Sequence, residues 1–344
     1  MANQAEASPR KRKAFDGELE TEAAAITDMK QLADEEPAAI VLNPSKSVGA
    51  GASGSSELFP EEYDWSCSRD DDFMLQQAAI REEAIKIPYV GDKEPLSALA
   101  AEFESGSPIL KEKIRILAEQ YTALRRTRGD GNCLYRSFML AYLEHILETQ
   151  DVTEAERITG KVEQCKNTLQ SLGYTEFTYE DFFSIFMEQL ENVLPGKGPS
   201  ISIEELLSRC RDQFVSDYVV MFLRFVTSGE IRKRAEFFEP FIAGLTNTSV
   251  DQFCKSSVEP MGEECDHVHI IALSDALGVP IRVVYLDRSS CDKGALAVNH
   301  HDFVPNISAA DEHSLSLDPP GNTAEPFVTL LYRPGHYDIL YRRL

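Results

Sequence analysis

Apolar residues recur at steps of three and four along much of the chain, which is the spacing of amphipathic helices. The clearest run begins at Cys133 and continues through Phe138 and Tyr142. The same spacing predicts the helices Asp70–Ile87, Leu110–Tyr121, Glu154–Leu172, Tyr179–Val193, Ile203–Ser208, Arg211–Thr227 and His267–Leu277. Gly278 and Pro280 follow the last of these helices and are expected to end it.

Runs of β-branched and aromatic residues are concentrated near the C-terminus and predict strands there. They are Ile281–Leu286, a short segment at His301–Val304, and a closing hairpin of Phe327–Tyr332 and Tyr337–Tyr341. Helices therefore come first and strands cluster last. This order predicts an α+β fold rather than an alternating α/β fold.

Residues 1–60 differ in composition from the rest of the chain. Ala, Ser, Gly, Pro and Glu dominate them, and Gly49–Ser56 has the composition of a linker, so we predict a disordered tail. The basic cluster Pro9–Lys13 resembles a short nuclear-import signal, although a solvated charge run explains it equally well.

The charge balance narrows the class of partner. Lys and Arg number 34 against 57 Asp and Glu, which gives a formal net charge of −23. Nucleic-acid affinity depends largely on neutralising phosphates with Lys and Arg, so an acidic body is poorly suited to nucleic acid or to an anionic membrane surface. A basic protein partner fits better.

The seven cysteines are scattered, and no two form a CxxC pair. This spacing argues against a zinc ribbon, and the odd count argues against a disulfide scaffold. The N-terminus lacks the apolar run of a signal peptide, and apolar stretches such as Tyr218–Leu223 are far shorter than a membrane span. We therefore expect a soluble protein of a reducing compartment.

Cys133 has the most informative context of the seven. It follows the turn Gly129–Asn132 and opens a helix, with Asn132 as the expected N-cap. A thiol at a helix N-terminus faces unpaired N–H groups, which favour the thiolate, and the glycines of the turn allow backbone N–H groups to converge on an oxyanion. The alternative is a buried cysteine that acts as a small apolar residue.

A thiolate nucleophile needs a base, and His336 is the best candidate among the seven histidines. If Tyr337–Tyr341 is a strand, His336 and Asp338 project from the same face. Asp338 could then hold one ring nitrogen and leave the other for the thiol, as in a thiol-hydrolase triad. The alternative is a surface histidine beside a turn.

The remaining chemistry-bearing residues give weaker signals. Cys265–His269 contains metal-ligand residue types, but a helix would spread them over different faces, and no second cluster completes a four-ligand set. We therefore expect no metal and no cofactor. The chain has neither a GxxxxGK[ST] phosphate loop nor a Gly-x-Ser-x-Gly elbow.

Several ordered motifs resemble those of the ovarian-tumour (OTU) family of cysteine deubiquitinases, and specifically its otubain subgroup. Asp130–Phe138 resembles the nucleophile motif and Leu331–Tyr341 the histidine motif. The supporting motifs are Thr175–Thr178, Thr227–Gly229, Val258–Met261 and Asp266–Leu273. The similarity extends from about Asp71 to the C-terminus, and both catalytic motifs match the family pattern at the catalytic positions.

The resemblance implies a papain-like OTU fold, with helices around a small central β-sheet. It makes Cys133 the nucleophile, His336 the general base and then acid, and Asp338 the residue that orients the histidine. Asp130 matches a loop aspartate that is also assigned to the family's active site. The implied reaction is hydrolysis of isopeptide bonds in ubiquitin chains, with a preference for the proteasome-targeting linkage.

The resemblance also implies a second class of function, the binding and inhibition of ubiquitin-conjugating enzymes without catalysis. The two functions can coexist. An inactive OTU-like scaffold is disfavoured because every expected catalytic residue is present, whereas the triad alone leaves acyl transfer to an amine open. We expect ubiquitin and polyubiquitin as partners, and a cytoplasmic and nuclear location.

The resulting domain prediction has three parts. Residues 1–60 form the tail, residues 61–125 an N-terminal helical arm of the otubain domain, and residues 126–344 the catalytic domain. The helix predicted at Asp70–Ile87 carries an apolar stripe. That stripe either packs on the domain as a core element or, as in the otubains, helps to engage ubiquitin and a conjugating enzyme.

Overall fold

The computed structural model describes residues 87–104, 106–194, 200–288, 297–305 and 325–343. Its strands are β1 Val90–Pro95, β2 Tyr121–Thr127, β3 Ile281–Tyr285, β4 His300–Phe303, β5 Val328–Arg333 and β6 His336–Arg342. The helices are α1 Leu96–Glu102, α2 Pro108–Gln120, α3 Cys133–Thr149, α4 Val152–Ser171, α5 Glu176–Val193, α6 Ile203–Arg211, α7 Gln213–Lys233, α8 Ala235–Thr246, α9 Val250–Phe253 and α10 His267–Leu277, with a π-helical turn at Cys254–Val258 after α9. The predicted tail, and the helix predicted at Asp70–Ile87 apart from Ile87 itself, lie outside the described residues.

The strands form one mixed sheet in the order β1-β2-β6-β5-β3-β4. β3 and β5 pair in parallel, and the other neighbours pair antiparallel. The expectation that strands follow all the helices is wrong, because β1 and β2 precede α3. The arginines of β2 obscure its strand pattern. Arg125 is nevertheless buried, and its guanidinium is hydrogen-bonded to Glu144, Tyr341 and the Gly91 carbonyl.

The predicted helices and strands that fall within the described residues are confirmed, with bounds that differ by a few residues. α10 has the predicted bounds and ends at Gly278, whose φ of 65° suits glycine. The C-terminal hairpin is also as predicted: β5 pairs with β6, and Arg333 lies opposite His336. α8 was not predicted, and Pro240 inside it explains why, since proline removes a helical hydrogen bond.

The sheet separates two apolar cores. α3 is buried along most of its length and packs against β5 and β6, within the larger core. Leu340 of β6 points into the smaller core beneath α1 and α2, whereas its neighbour Ile339 points into the larger one. Helices therefore surround a small sheet, and the predicted α+β fold is confirmed.

Within the described residues, no helix is both long and apolar enough to span a membrane.

Candidate active site

Cys133 is the first residue of α3 and is buried. The turn that delivers it from β2 is held by a close backbone contact. Gly131 has a φ of 75°, and a Cβ built on it would lie 1.9 Å from the carbonyl oxygen of Gly262. No side chain fits there, so the glycine that sequence analysis linked to loop geometry is required by both conformation and space.

Asn132 occupies the N-cap position of α3, but its side chain forms no capping hydrogen bond. Its Oδ1 instead accepts hydrogen bonds from Arg224 Nη2 at 2.8 Å and from the Gly262 N–H at 3.0 Å. The expected capping role is therefore wrong, because a buried guanidinium competes successfully for that oxygen. Asn132 ties the turn to a distant part of the chain.

His336 and Asp338 are the first and third residues of β6 and share a face, as predicted. His336 Nε2 lies 2.9 Å from Asp338 Oδ1. A carboxylate only accepts hydrogen bonds, so Nε2 carries the proton in this pair and Nδ1 is left for the thiol. Asp338 is fully buried, and it also accepts hydrogen bonds from the Thr127 N–H at 3.0 Å and Arg333 Nη2 at 2.6 Å.

These contacts set the charges of the pair. Burial would raise the pKa of Asp338, but the hydrogen bond from His336 and the positive charge of Arg333 outweigh it, so the pKa is lowered. Burial would lower the pKa of His336, but its hydrogen bonds with Asp338 and Cys133 outweigh burial and raise the pKa to about 9. At neutral pH the site therefore holds an imidazolium beside the sulfur, the arrangement in which a cysteine reacts as a thiolate.

The structure thus brings Cys133, His336 and Asp338 together, and their catalytic roles stay predictions. Asp130 is placed differently. Its Oδ1 accepts the Asn132 N–H at 3.1 Å and its Oδ2 accepts Arg136 Nη2 at 2.9 Å. No hydrogen bond within the described residues joins Asp130 to His336; the contacts of Asp130 support the turn, and its place in the active site stays a prediction.

Three residues that support the triad were not predicted from the sequence. Arg333 lies inside the histidine motif, and its position opposite His336 in the predicted hairpin was the available signal. Thr127 and Arg224 carried no such signal. They reach the site from β2 and α7, and only the packing of those elements brings them near.

The histidines of the 265–269 segment have other partners. Asp266 caps α10, and His269 forms the reciprocal half of a capping box with it. His267 Nε2 lies 2.8 Å from the Tyr285 hydroxyl. In the part of the chain that the structure describes, no group of three or more His, Cys, Asp or Glu side chains could hold a metal ion.

The amino-acid sequence matches a known protein family and its members. A family model described as "Peptidase C65 Otubain" matches residues 82–342. Ovarian tumor domain-containing deubiquitinating enzyme 1 of Arabidopsis thaliana is 63% identical over 290 residues, covering 84% of this chain and 91% of that protein. Ubiquitin thioesterase OTUB1 of Homo sapiens is 41% identical over 274 residues, covering 79% of this chain and 90% of that protein.

Solved structures agree with the sequence relatives. A chain in the structure of h/ceOTUB1 with ubiquitin aldehyde and UBCH5B~Ub superposes with a TM-score of 0.66 and 31% identity, covering 81% of this chain and 100% of that chain. A ceOTUB1 chain in complex with ubiquitin aldehyde and UBC13~Ub gives a TM-score of 0.65. The resemblance found in the motifs is confirmed, and the chain belongs to the otubain family of cysteine peptidases, peptidase family C65.

Proposed function

We propose that this chain is a thiol-dependent ubiquitin hydrolase that cleaves isopeptide bonds in ubiquitin chains. The single observation that carries the proposal is the Cys133–His336–Asp338 arrangement at the N-terminus of α3. The names of the relatives supply the substrate class, since they are deubiquitinating enzymes and ubiquitin thioesterases.

The geometry supports a two-step hydrolysis. The Cys133 thiolate attacks the carbonyl at the ubiquitin C-terminus, and the His336 imidazolium donates its proton to the departing lysine amine. The neutral imidazole then removes a proton from water, which hydrolyses the thioester. Asp338 keeps the imidazole oriented through both steps.

The decisive experiment uses a ubiquitin probe with a C-terminal electrophile, together with di-ubiquitin cleavage. The wild-type protein should be labelled at Cys133 and should cleave di-ubiquitin, whereas Cys133→Ala should do neither. Cys165→Ala is a matched control, because Cys165 is a buried cysteine of α4 whose thiol lies against the Ala276 carbonyl and is not part of the triad, so this variant should retain labelling. Cleavage by Cys133→Ala would remove Cys133 as the nucleophile.

We infer further that the proteasome-targeting linkage is preferred. The support is the otubain resemblance alone. A panel of di-ubiquitins that covers every lysine linkage tests it directly, with kcat/KM as the measurement. Equal kcat/KM values across the panel would remove the preference and leave the hydrolase activity intact.

A second candidate function is inhibition of ubiquitin-conjugating enzymes. The observation that favours it is the similarity to solved OTUB1 chains in complexes with UBCH5B~Ub and UBC13~Ub. Cys133→Ala protein should then slow chain synthesis by such an enzyme, although it cannot cleave the product. If Cys133→Ala protein leaves chain synthesis unchanged across several conjugating enzymes, this candidate function is wrong.

We also propose that the protein occupies both the cytoplasm and the nucleus. The basic cluster Arg10–Lys13 is the support. Replacing these four residues with alanine should lower the nuclear fraction of a tagged protein, and an unchanged distribution would leave only a solvated charge run.

A further inference from the structure

Arg224 is a buried cation that the triad does not use. It lies on α7 with an exposed fraction of 0%, although a guanidinium is costly to remove from water. Within the described residues its hydrogen bonds go to backbone carbonyls and to the Asn132 side chain, not to a carboxylate. A buried arginine with these partners organises backbone instead of neutralising an acid.

The guanidinium joins two segments that meet at the active site. On the side of the nucleophile turn, Nη2 donates to the Gly131 carbonyl at 2.9 Å and to Asn132 Oδ1 at 2.8 Å. On the other side, Nη1 donates to the Val258 carbonyl at 2.9 Å and Nη2 to the Glu263 carbonyl at 2.8 Å. The segment 258–263 contains Gly262, the residue against which Gly131 packs.

These bonds fix the orientation of peptide groups in the turn. In a trans peptide the C=O and the following N–H point in opposite directions. Because Arg224 holds the Gly131 carbonyl, the Asn132 N–H points away from Arg224 and reaches Asp130 Oδ1 at 3.1 Å. The next carbonyl, that of Asn132, accepts the Arg136 N–H in the first turn of α3, so the Cys133 N–H points outward from the helix end.

The N–H groups of the turn therefore divide into two sets. Those of Asp130 and Asn132 are occupied, by the Arg128 carbonyl and by Asp130 Oδ1 respectively. Within the described residues no hydrogen bond engages the N–H groups of Gly131 and Cys133. These two N–H groups, that of Cys133 itself and that of the residue two positions before it, are available to stabilise an oxyanion.

We propose that Arg224 is a positioning residue that presets the oxyanion-stabilising N–H groups of Gly131 and Cys133. It acts through the Gly131 carbonyl and the Asn132 side chain and touches no reacting atom. When the Cys133 sulfur bonds to a carbonyl carbon, the C=O electron pair moves to oxygen, and this negative charge is what the two N–H groups would stabilise. The inference rests on the proposed acyl chemistry, but it does not require ubiquitin to be the acyl donor.

Two reactions of the same thiol separate this role from a merely structural one. Iodoacetamide alkylates Cys133 with loss of iodide and forms no oxyanion, whereas acylation by p-nitrophenyl acetate passes through a tetrahedral oxyanion. Alkylation is measured at Cys133 by peptide mass spectrometry, and acylation by the burst of p-nitrophenolate.

Arg224→Lys keeps the charge, but a single ammonium nitrogen cannot reach the acceptors on both segments that the planar guanidinium binds. We expect acylation to slow by about tenfold or more, while alkylation stays within a few-fold of wild type. Arg125→Lys is the matched control. Arg125 is also buried and hydrogen-bonded, but to Glu144 and Tyr341, so neither reaction should change.

A second variant protects the test against misfolding. If thermal melting shows that Arg224→Lys does not fold, Asn132→Ala is used instead. This change removes the oxygen that Arg224 and Gly262 share, and we again expect slower acylation with nearly unchanged alkylation. A parallel loss of alkylation and acylation, or no loss of acylation, would overturn the proposal. Wild-type protein that acylates but does not cleave ubiquitin chains would contradict the proposed function and leave the Arg224 test valid.

Discussion

Two carboxylates lie near the predicted nucleophile and base, and their different hydrogen-bond partners indicate different roles. Asp338 holds His336 Nε2, whereas Asp130 holds the Asn132 N–H and Arg136. Both side chains form charge-assisted hydrogen bonds, which are stronger than neutral ones, so we expect replacement of either carboxylate to have a measurable effect. Their amide variants separate an effect on the base from an effect on the turn.

Asp338→Asn should lower kcat for a ubiquitin substrate by roughly 10²–10⁴-fold, because the amide disturbs the tautomer and orientation of His336. Asp130→Asn should cost only a few-fold in kcat and should lower the melting temperature, because it weakens the turn. Steady-state kinetics and thermal melting of both variants test this. If Asp338→Asn keeps the wild-type kcat and Asp130→Asn is inactive, then Asp130, and not Asp338, orients His336.

The raised pKa of His336 predicts a pH profile. Its ordinary value is 6.5 and its value in the fold is about 9. A raised pKa means that the favourable interactions of the imidazolium are fully present below the ordinary value and are lost as the pH rises through the folded value. kcat/KM should therefore hold through neutral pH and fall near pH 9, as His336 loses the proton that the leaving amine requires.

Asp338→Asn supplies the control for this profile. The hydrogen bond and the charge of Asp338 both help to raise the pKa of His336, so the alkaline fall should move to lower pH in the variant. An unchanged midpoint would show that the alkaline limb belongs to another group.

At the scale of elements, the turn between β2 and α3 depends on backbone contact with the 258–263 segment. Gly131→Ala should abolish hydrolysis and lower the free energy of unfolding by about 1–3 kcal/mol, because its Cβ would overlap the Gly262 peptide. Gly160→Ala is a matched control within α4. No atom outside the neighbouring backbone of α4 lies within 4 Å of its Cβ position, so this change should raise stability by about 0.5–1 kcal/mol without affecting kcat.

Urea unfolding and di-ubiquitin cleavage measure both glycine variants. Full activity in Gly131→Ala would mean that the turn can move away from Gly262 without disturbing Cys133. The two substitutions add the same methyl group, but only Gly131 combines a positive φ with a close backbone contact, so the comparison tests the nucleophile turn.

At the scale of the whole molecule, the N-terminal boundary of the folded domain can be tested by truncation. Arg128 Nε donates to the Ile87 carbonyl at 2.7 Å, and the Arg128 N–H donates to the Tyr89 carbonyl at 3.0 Å. Tyr89 lies between two guanidinium groups, those of Arg128 at 4.0 Å and Arg136 at 3.7 Å from its ring centre. The chain before β1 is thus connected to both ends of the nucleophile turn.

Removal of residues 1–58 should leave kcat for a minimal ubiquitin substrate within a few-fold of wild type, because that composition cannot build a core. Removal of residues 1–95 deletes Tyr89 and β1 and should lower both stability and activity. Thermal melting and turnover of the two truncated proteins check this. A stable, active protein lacking residues 1–95 would show that β1 and Tyr89 do not support the nucleophile turn.

Local sequence determined much of this protein. The period of apolar residues specified α3, α4, α5 and α10, because side chains three and four apart share a helix face whatever surrounds them. The C-terminal hairpin and the His336–Asp338 pair followed from the two-residue period of a strand. Family membership followed from motifs whose order along the chain is itself a sequence property.

Tertiary structure decided what lies between distant segments. β2 is a strand because it pairs with β1 and β6, which are remote in sequence or irregular in pattern, and its buried Arg125 is hydrogen-bonded to Glu144 and Tyr341. No local pattern shows these partnerships. The Asn132 side chain does not form the expected cap of α3, because its Oδ1 accepts a hydrogen bond from Arg224, a residue of α7 far along the chain. The periodicity of apolar residues shows only which residues within about one helical turn share a face of the same element. The supports of the nucleophile turn come from α7 and the 258–263 segment, so only packing could bring them to Cys133.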